Sequence, residues 1–382
     1  MLLSISITRN RAHRISVSTF FFIAGFTFAS WASRIPDIKT TLQLSDAGLG
    51  GVLFALPLGL MISMPVSGYV VTRFGSSRIV IITALFYPLT LILLGLAPTA
   101  WLLSAVLFVF GFWGNLFNIS VNTQAVGVEA LYGRSIMASF HGLWSLAGFT
   151  GAATGTLMVA VHLSPFIHFC IICATAFLLV FISFKYTLPH NNGNNRQPVF
   201  AKPDASILKL GLIAFGCLVC EGTMFDWSGV YFQKVVKVPA SYTTLGYVAF
   251  MSSMAAGRFI ADWLVTKSGV KTMLQLSGII ITTGLLTAVI FPYIIPATIG
   301  FLLVGLGVSS VVPLIYGLAG KSKTMLPGVA LAAVSTIGFL GFLVGPPMIG
   351  FIAGAFNLRW SFTVIALIGL ATTILAGKLR IG

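Results

Sequence analysis

Long apolar stretches recur along the whole chain, separated by short segments with glycine, proline or charged residues. About 20 apolar residues are enough for a helix to cross a hydrocarbon layer about 30 Å thick. The pattern predicts an all-α membrane protein with twelve spans, at residues 15–36, 47–71, 78–97, 101–126, 136–160, 164–187, 207–232, 242–266, 271–291, 294–318, 326–352 and 358–379.

One connector is longer and more polar than the others. Residues 188–206 include a run from His190 to Pro198 that is rich in asparagine and lacks helical periodicity. It predicts an N-terminal six-helix bundle at 1–187, a cytoplasmic linker at 188–206 and a C-terminal six-helix bundle at 207–382.

Composition agrees with this interpretation. The 382 residues are 57% hydrophobic and only 8% charged, whereas about a quarter of the residues of a soluble domain are charged. This excludes an ordinary soluble domain and leaves the lipid bilayer as the main environment of the chain.

The net charge of +15 follows from where the basic residues lie. On the predicted topology, 17 of the 22 Lys and Arg residues share the side of the N-terminus and 5 lie on the other side. The positive-inside rule then places both termini in the cytoplasm of a multi-pass protein of the cell membrane. The basic residues form no run with interleaved aromatics, so we predict no nucleic-acid partner.

The connection between the second and third span has a weak repeat in the two halves. Its elements are Gly68, Arg73, Gly75 and Arg78 in the first half, and Gly257, Arg258 and Asp262 in the second. Glycine permits close helix packing, and basic residues fit a cytoplasmic turn. Asp262 follows Arg258 by four residues, a spacing suited to an ion pair.

This loop resembles the G-x-x-x-D-R-x-G-R-R signature of the major facilitator superfamily, and the resemblance extends over essentially the whole chain. Thr72 replaces the usual aspartate, which in that family helps to latch the halves together. The segments 34–38, 122–129, 140–145 and 221–228 resemble a poorly characterised bacterial branch related in fold to the fucose permeases. The resemblance implies an inner-membrane transporter with two pseudo-two-fold related bundles, and a cytoplasmic gate at the loop.

Acidic residues are scarce, and two of the seven lie in the seventh span. Glu221 lies near mid-membrane, where an acid tends to face a cavity and act in transport. We predict that Glu221 carries the coupling proton; the alternative is a neutral carboxyl that ties spans together. Asp226 is a further candidate for proton coupling. It lies nearer the outer face, either as part of an outer gate or as a cap or ion pair with Lys234 or Arg34.

The fourth and fifth spans contain the next group of polar residues. Asn115, Asn118 and Asn122 recur at helical spacing and share one stripe. They are candidates to bind hydroxyl or carbonyl groups of a solute, or alternatively to join neighbouring helices. Trp113, Trp144 and Trp227 adjoin polar residues and are candidates for the substrate cavity.

His141 in the fifth span is a candidate for proton coupling, because histidine titrates near physiological pH. Packing of the imidazole in the helix bundle is the alternative. Its position near the cytoplasmic end favours an inner gate over the central site.

No pattern in the sequence indicates an enzyme. Cys170, Cys173, Cys217 and Cys220 form two C-x-x-C spacings inside apolar runs, which favours buried thiols over a metal or redox centre. A phosphate-binding P-loop and a nucleophile elbow are both missing. We predict no cofactor and no metal.

These observations together predict a monomeric secondary transporter whose partners are a small-molecule substrate, protons and the lipid bilayer. A sugar-like or small polar metabolite is the favoured substrate. Two alternatives stay open: an exporter of drugs or metabolites by proton antiport, and a non-transporting membrane sensor.

Overall fold

The computed structural model describes residues 2–133, 136–189, 204–322, 324–325 and 327–379. These residues form α-helices without a β-strand among them. The helices are α1 (Leu2–Ser33), α2 (Ile35–Thr41), α3 (Asp46–Leu53), α4 (Ala55–Phe74), α5 (Ser76–Leu96), α6 (Ala100–Tyr132), α7 (Met137–Ala160), α8 (Pro165–Ser183), α9 (Ala205–Tyr231), α10 (Leu245–Ser268), α11 (Val270–Ile290), α12 (Ile294–Ser309), α13 (Val311–Ala319), α14 (Pro327–Ala355) and α15 (Leu358–Gly377).

Eleven segments of the described chain are long and apolar enough to cross a membrane. They correspond to eleven of the twelve predicted spans, and α10, with 24 residues, lies at the position of the eighth. The all-α membrane class is therefore confirmed. Several helices extend beyond the predicted spans; α6, for example, has 33 residues and continues to Tyr132.

Three spans are interrupted where the sequence predicted continuous helices. The first span breaks at Arg34, between α1 and α2, and the second breaks at Phe54, between α3 and α4. The tenth span breaks at Ser310, between α12 and α13. The break at Phe54 separates two helices that pack in different parts of the protein.

The chain divides into two compact units. The first comprises Met1–Gln43 and Ala55–Gly193, and the second comprises Leu44–Phe54 and Asn194–Gly382. The division in the middle of the chain falls within the predicted linker, of which residues 190–203 lie outside the described part. Helix α3 belongs to the second unit, although it precedes α4 in the sequence.

In the first unit, α1 packs on α7, and α4 packs on α6. The α4–α6 contact depends on two glycines. A Cβ atom at Gly59 would collide with the carbonyl oxygen of Phe108, and one at Gly111 with that of Leu56. Small residues permit this close approach of backbones, which favours helix association in a membrane.

In the second unit, α9 is the most enclosed helix, with contacts to α14, α15 and α13. Its N-cap is Asp204, whose Oδ1 accepts hydrogen bonds from the backbone N–H groups of Ser206 and Ile207, both at 2.8 Å. The hydroxyl of Thr324 donates to Oδ2 of the same carboxylate. These donors, with Thr324 first, hold the pKa of Asp204 below its usual value.

Candidate functional site

Glu221 and Arg258 form an ion pair inside the second unit. Oε1 of Glu221 on α9 lies 3.8 Å from Nη2 of Arg258 on α10. The Glu221 side chain is 8% exposed and that of Arg258 20%. Burying two charges is costly, and the pair offsets part of that cost. The structure therefore brings the predicted coupling acid next to a residue of the predicted loop motif.

The sequence spacing had suggested Asp262 as the partner of Arg258. The side chain of Asp262 lies outside the described residues. Glu221 is 37 positions from Arg258 in the sequence, so no local spacing could have indicated this pair.

Further polar groups lie near the Glu221–Arg258 pair. Tyr316 of α13 is half-buried and is close enough to Glu221 for an electrostatic interaction. Cys217 lies one helical turn before Glu221 and donates from Sγ to the carbonyl oxygen of Val308 at 3.9 Å. Three helices, α9, α10 and α13, thus contribute side chains to this polar cluster.

The four cysteines lie in α8 and α9. All four are free thiols, and three of them are buried. Sγ of Cys220 lies 3.8 Å from the carbonyl oxygen of Ile365. Within the described residues, no group of three or more His, Cys, Asp and Glu side chains could hold a metal ion.

Asp226 and Trp227 follow one turn further along α9. Trp227 is fully buried, and its Nε1 has no hydrogen-bond partner in the described part of the chain. Asp226 is half-buried, and neither predicted basic partner is bound to it. Lys234 contacts Asp46 at 2.7 Å, and Arg34 contacts Asp37 at 3.1 Å.

The three asparagines of α6 occupy two different environments. Asn115 is 3% exposed and donates to Oγ of Ser67 on α4 at 3.2 Å. Ser67 in turn bonds to Ser63, which donates to the carbonyl oxygen of Phe112 at 2.9 Å. Asn115 therefore joins α4 to α6. This is the alternative to solute binding that the sequence left open for the asparagines.

Asn118 and Asn122 lie further along α6 and contact each other. Nδ2 of Asn122 donates to Oδ1 of Asn118 at 2.7 Å. Asn118 is exposed, and Asn122 is half-buried. Nδ2 of Asn118 and Oδ1 of Asn122 form no hydrogen bond with a described residue.

The aromatic candidates of the first unit are packed on one side and partly exposed on the other. Trp113 stacks on Phe86 with ring centroids 5.0 Å apart, and Trp144 stacks on Phe28 at 6.4 Å. Both tryptophans are half-buried. The ring of His141 is exposed and meets the edge of Phe21 at 5.3 Å.

The glycines of the loop motif have different roles. Gly75 has φ of +88° and is the N-cap residue of α5, and Gly269, in the corresponding turn of the second half, has φ of +77° and is the N-cap residue of α11. This left-handed conformation favours glycine. A Cβ atom at Gly257 would collide with Ser309 of α12, whereas one at Gly68 would meet no described atom within 4 Å. Close helix packing therefore explains Gly257 but not Gly68. Arg73 and Arg78 are exposed.

Two polar contacts of the first unit were not predicted. Oε2 of Glu129 accepts hydrogen bonds from the backbone N–H groups of Ile136 and Met137, at 2.7 and 2.8 Å, and so caps α7. Gln124 bonds in both directions with the backbone of Leu188. Glu129 lies inside α6, eight positions before the first residue of α7, so no local helix-start pattern indicates this cap.

Helix α3 packs against α14 at a site of small residues. A Cβ atom at Gly50 would lie 2.8 Å from the carbonyl oxygen of Pro346 and 2.9 Å from Cα of Gly350. Next to this contact, a Cβ atom at Gly354 would lie 3.2 Å from Cβ of Ala47. Asp46, the first residue of α3, adds the ion pair with Lys234.

Comparison with known proteins is in agreement with this architecture. Residues 15–326 match the sequence profile of the Major Facilitator Superfamily. An uncharacterized MFS-type transporter of Yersinia pestis is 32% identical over 357 residues, which cover 94% of this chain and 93% of the relative. The membrane protein MosC of Rhizobium meliloti is 32% identical over 354 residues, or 91% and 86% of the two chains. The chain belongs to the Major Facilitator Superfamily, whose members transport solutes across membranes and are not enzymes.

Solved structures of transporters have the same fold. The nucleoside transporter NupG superposes with a TM-score of 0.74 at 14% identity, over 96% of this chain and 100% of the other. A bacterial homologue of the human lysosomal transporter Spinster, in an inward-facing and occupied conformation, gives 0.76 at 14% identity, over 96% of each chain. The expected superfamily is confirmed.

Proposed function

We propose that this protein is a secondary active transporter that moves a small polar solute by alternating access, with Glu221 as the proton-coupling residue and Arg258 as its charge partner. The observation that carries this proposal is the Glu221–Arg258 ion pair, held between two helices of a membrane protein. Ionisable residues inside membrane segments are costly and usually serve transport.

The ion pair offers a simple coupling mechanism. When Glu221 binds a proton it becomes neutral, and the guanidinium of Arg258 loses its compensating charge. The α9–α10 contact then gains a second state, in which Arg258 turns toward another acceptor or toward water. A proton and a solute that each favour one of these states are thereby coupled.

We place solute recognition on polar and aromatic side chains of the first unit. Asn118 and Asn122 supply amide groups with free hydrogen-bonding capacity, and the half-buried rings of Trp113 and Trp144 supply apolar faces. Amides beside aromatic rings suit solutes with hydroxyl groups and a ring. Asp226 and Trp227 are assigned to an outer gate, and His141 to an inner gate.

The same proposal includes orientation and assembly. The excess of basic residues on one side supports cytoplasmic termini, and two six-helix bundles at 1–187 and 207–382 joined by a cytoplasmic linker support a monomer as the working unit. Fusion of a reporter that is active only in the cytoplasm to the C-terminus tests the orientation.

The decisive experiment measures proton movement evoked by solute. Purified protein is placed in vesicles that contain a pH-sensitive dye, and sugars, nucleosides and organic acids are added one at a time. A transported solute should change internal pH in the wild type, and Glu221→Gln should abolish this change while solute exchange is retained. Asp204→Asn removes an acid outside the spans and serves as the control.

Two results would count against parts of the proposal. Retained proton movement in Glu221→Gln would remove Glu221 from coupling, and Asp226→Asn and His141→Gln would then be compared in the same assay. Solute exchange without any proton movement in the wild type would indicate a uniporter or another coupling ion.

A further inference from the structure

The outward face of α10 is apolar and ends in exposed lysines. Phe259, Ile260 and Trp263 are 67%, 47% and 59% exposed. In a membrane protein such a face lies against acyl chains. Trp263 is five residues before the end of α10 at Ser268, about 8 Å along the helix axis. This is the depth at which tryptophan is enriched, near the lipid headgroups.

Lys267 is held at the same level as this tryptophan. Its Nζ atom lies 4.0 Å from the centroid of the Trp263 ring, in a cation–π contact. The contact joins residues one helical turn apart and limits the freedom of a long side chain. The ammonium group thus remains at the edge of the apolar face.

A second lysine lies just across the turn. Gly269, with φ of +77°, alone separates α10 from α11, and Lys271 is the second residue of α11. Lys267 and Lys271 are both exposed, and neither forms an ion pair with a described residue. Asp262, whose side chain is not described, is five positions before Lys267 and deeper in the helix.

We propose that the α10–α11 turn binds the headgroup of an anionic glycerophospholipid, with the acyl chains along Phe259 and Ile260. Lys267 and Lys271 lie at the level of the lipid phosphates and have no described acidic partner. Charge complementarity therefore favours a lipid with an anionic headgroup. The apolar face distinguishes a lipid from a free phosphate, which has no acyl chains to place there. The site does not depend on which residue couples protons.

The test is a lipid titration of delipidated protein in detergent, with bound lipids counted by native mass spectrometry. Wild-type protein should bind dioleoylphosphatidylglycerol in preference to dioleoylphosphatidylcholine. Loss of each lysine should weaken phosphatidylglycerol binding about fivefold, the effect of one basic residue near an anionic lipid surface. Lys267→Ala/Lys271→Ala should therefore lose most of the preference, and Lys267→Arg/Lys271→Arg should retain it.

The matched control removes the same charge elsewhere. Lys185 is exposed and lies 5.7 Å from the ring of Phe184, and Lys321 is also exposed. Lys185→Ala/Lys321→Ala should leave the preference intact, and the melting temperature of each variant reports folding. An unchanged preference in the Lys267/Lys271 variant would overturn the proposal. Binding of glycerol 3-phosphate as tight as that of phosphatidylglycerol would also overturn the proposal, because it would assign the lysines to a soluble phosphate.

Discussion

The ammonium group of Lys234 lies 2.7 Å from Oδ1 of Asp46, and this ion pair joins the start of α3 to the segment that follows α9. Lys234 is 43% exposed and Asp46 15%, so the pair is partly solvated. An exposed ion pair contributes about 0–1 kcal/mol. The ion pair by itself therefore adds little stability to this contact.

Alternating access predicts that the α3–α14 contact opens during transport, because Phe54 alone connects α3 in the chain to α4 of the first unit. Ala47→Cys/Gly354→Cys, in a background with the four native cysteines changed to alanine, should form a disulfide on oxidation. A Cβ at Gly354 would be 3.2 Å from Cβ of Ala47, close to the separation of about 3.5–4.5 Å in disulfides. Oxidation should stop transport in vesicles, and reduction should restore it.

A second cysteine pair gives the control for this experiment. A Cβ at Gly338 would lie 3.2 Å from Cβ of Ala214, which joins α14 to α9 within the second unit. Ala214→Cys/Gly338→Cys should also form a disulfide, but transport should continue. Full transport by the oxidised Ala47/Gly354 pair would show that α3 and α14 stay together through the cycle.

The stripe of asparagines on α6 should separate into a stabilising and a solute-binding part. Asn115→Ala removes the bond to Ser67 and should lower the free energy of unfolding by about 1 kcal/mol. Asn118→Ala should leave stability unchanged and raise the KM for the transported solute. Thermal melting and uptake kinetics of the two variants distinguish these effects, and the opposite assignment would refute the interpretation.

Removal of the Glu129 cap should destabilise the start of α7. Glu129→Ala removes the acceptor of two backbone N–H groups and should destabilise the protein by about 1–2 kcal/mol. Glu129→Gln retains an acceptor oxygen and should lose less. Hydrogen exchange at Ile136 and Met137 measures the effect at the capped groups, and unchanged protection in Glu129→Ala would contradict it.

The contact between Asp204 and Thr324 predicts a pH dependence of stability. Because the pKa of Asp204 in the folded protein is below its unfolded value, the contribution is complete above the unfolded pKa and is lost as pH falls through the folded pKa. Thr324→Val removes one donor and should lower the melting temperature slightly near pH 7. The difference from the wild type should shrink at acid pH, and a constant difference would exclude the carboxylate as its source.

The predicted spans agree closely with some of the observed helices but miss the breaks in others. The helices α5, α11 and α15 agree with the predicted spans within about three residues, because apolar length and polar breaks are local properties of a chain in lipid. The breaks at Arg34, Phe54 and Ser310 were missed. At Phe54 and Ser310 apolar residues continue on each side, so hydropathy gives no sign of a break. The N-cap residues Thr99, Ser164 and Asn357 mark helix starts that a local pattern can indicate.

The sequence by itself determined that the chain is a helical membrane protein, that it resembles a transporter superfamily, and that Glu221 is an acid deep within a span. Only the tertiary structure decided that Arg258 is the partner of Glu221, that Asn115 joins α4 to α6, and that α3 packs on α14. The physical reason is that hydropathy and capping depend on neighbours in the sequence. A contact between helices depends on how each helix is turned about its axis, and that rotation is set by packing against all its neighbours.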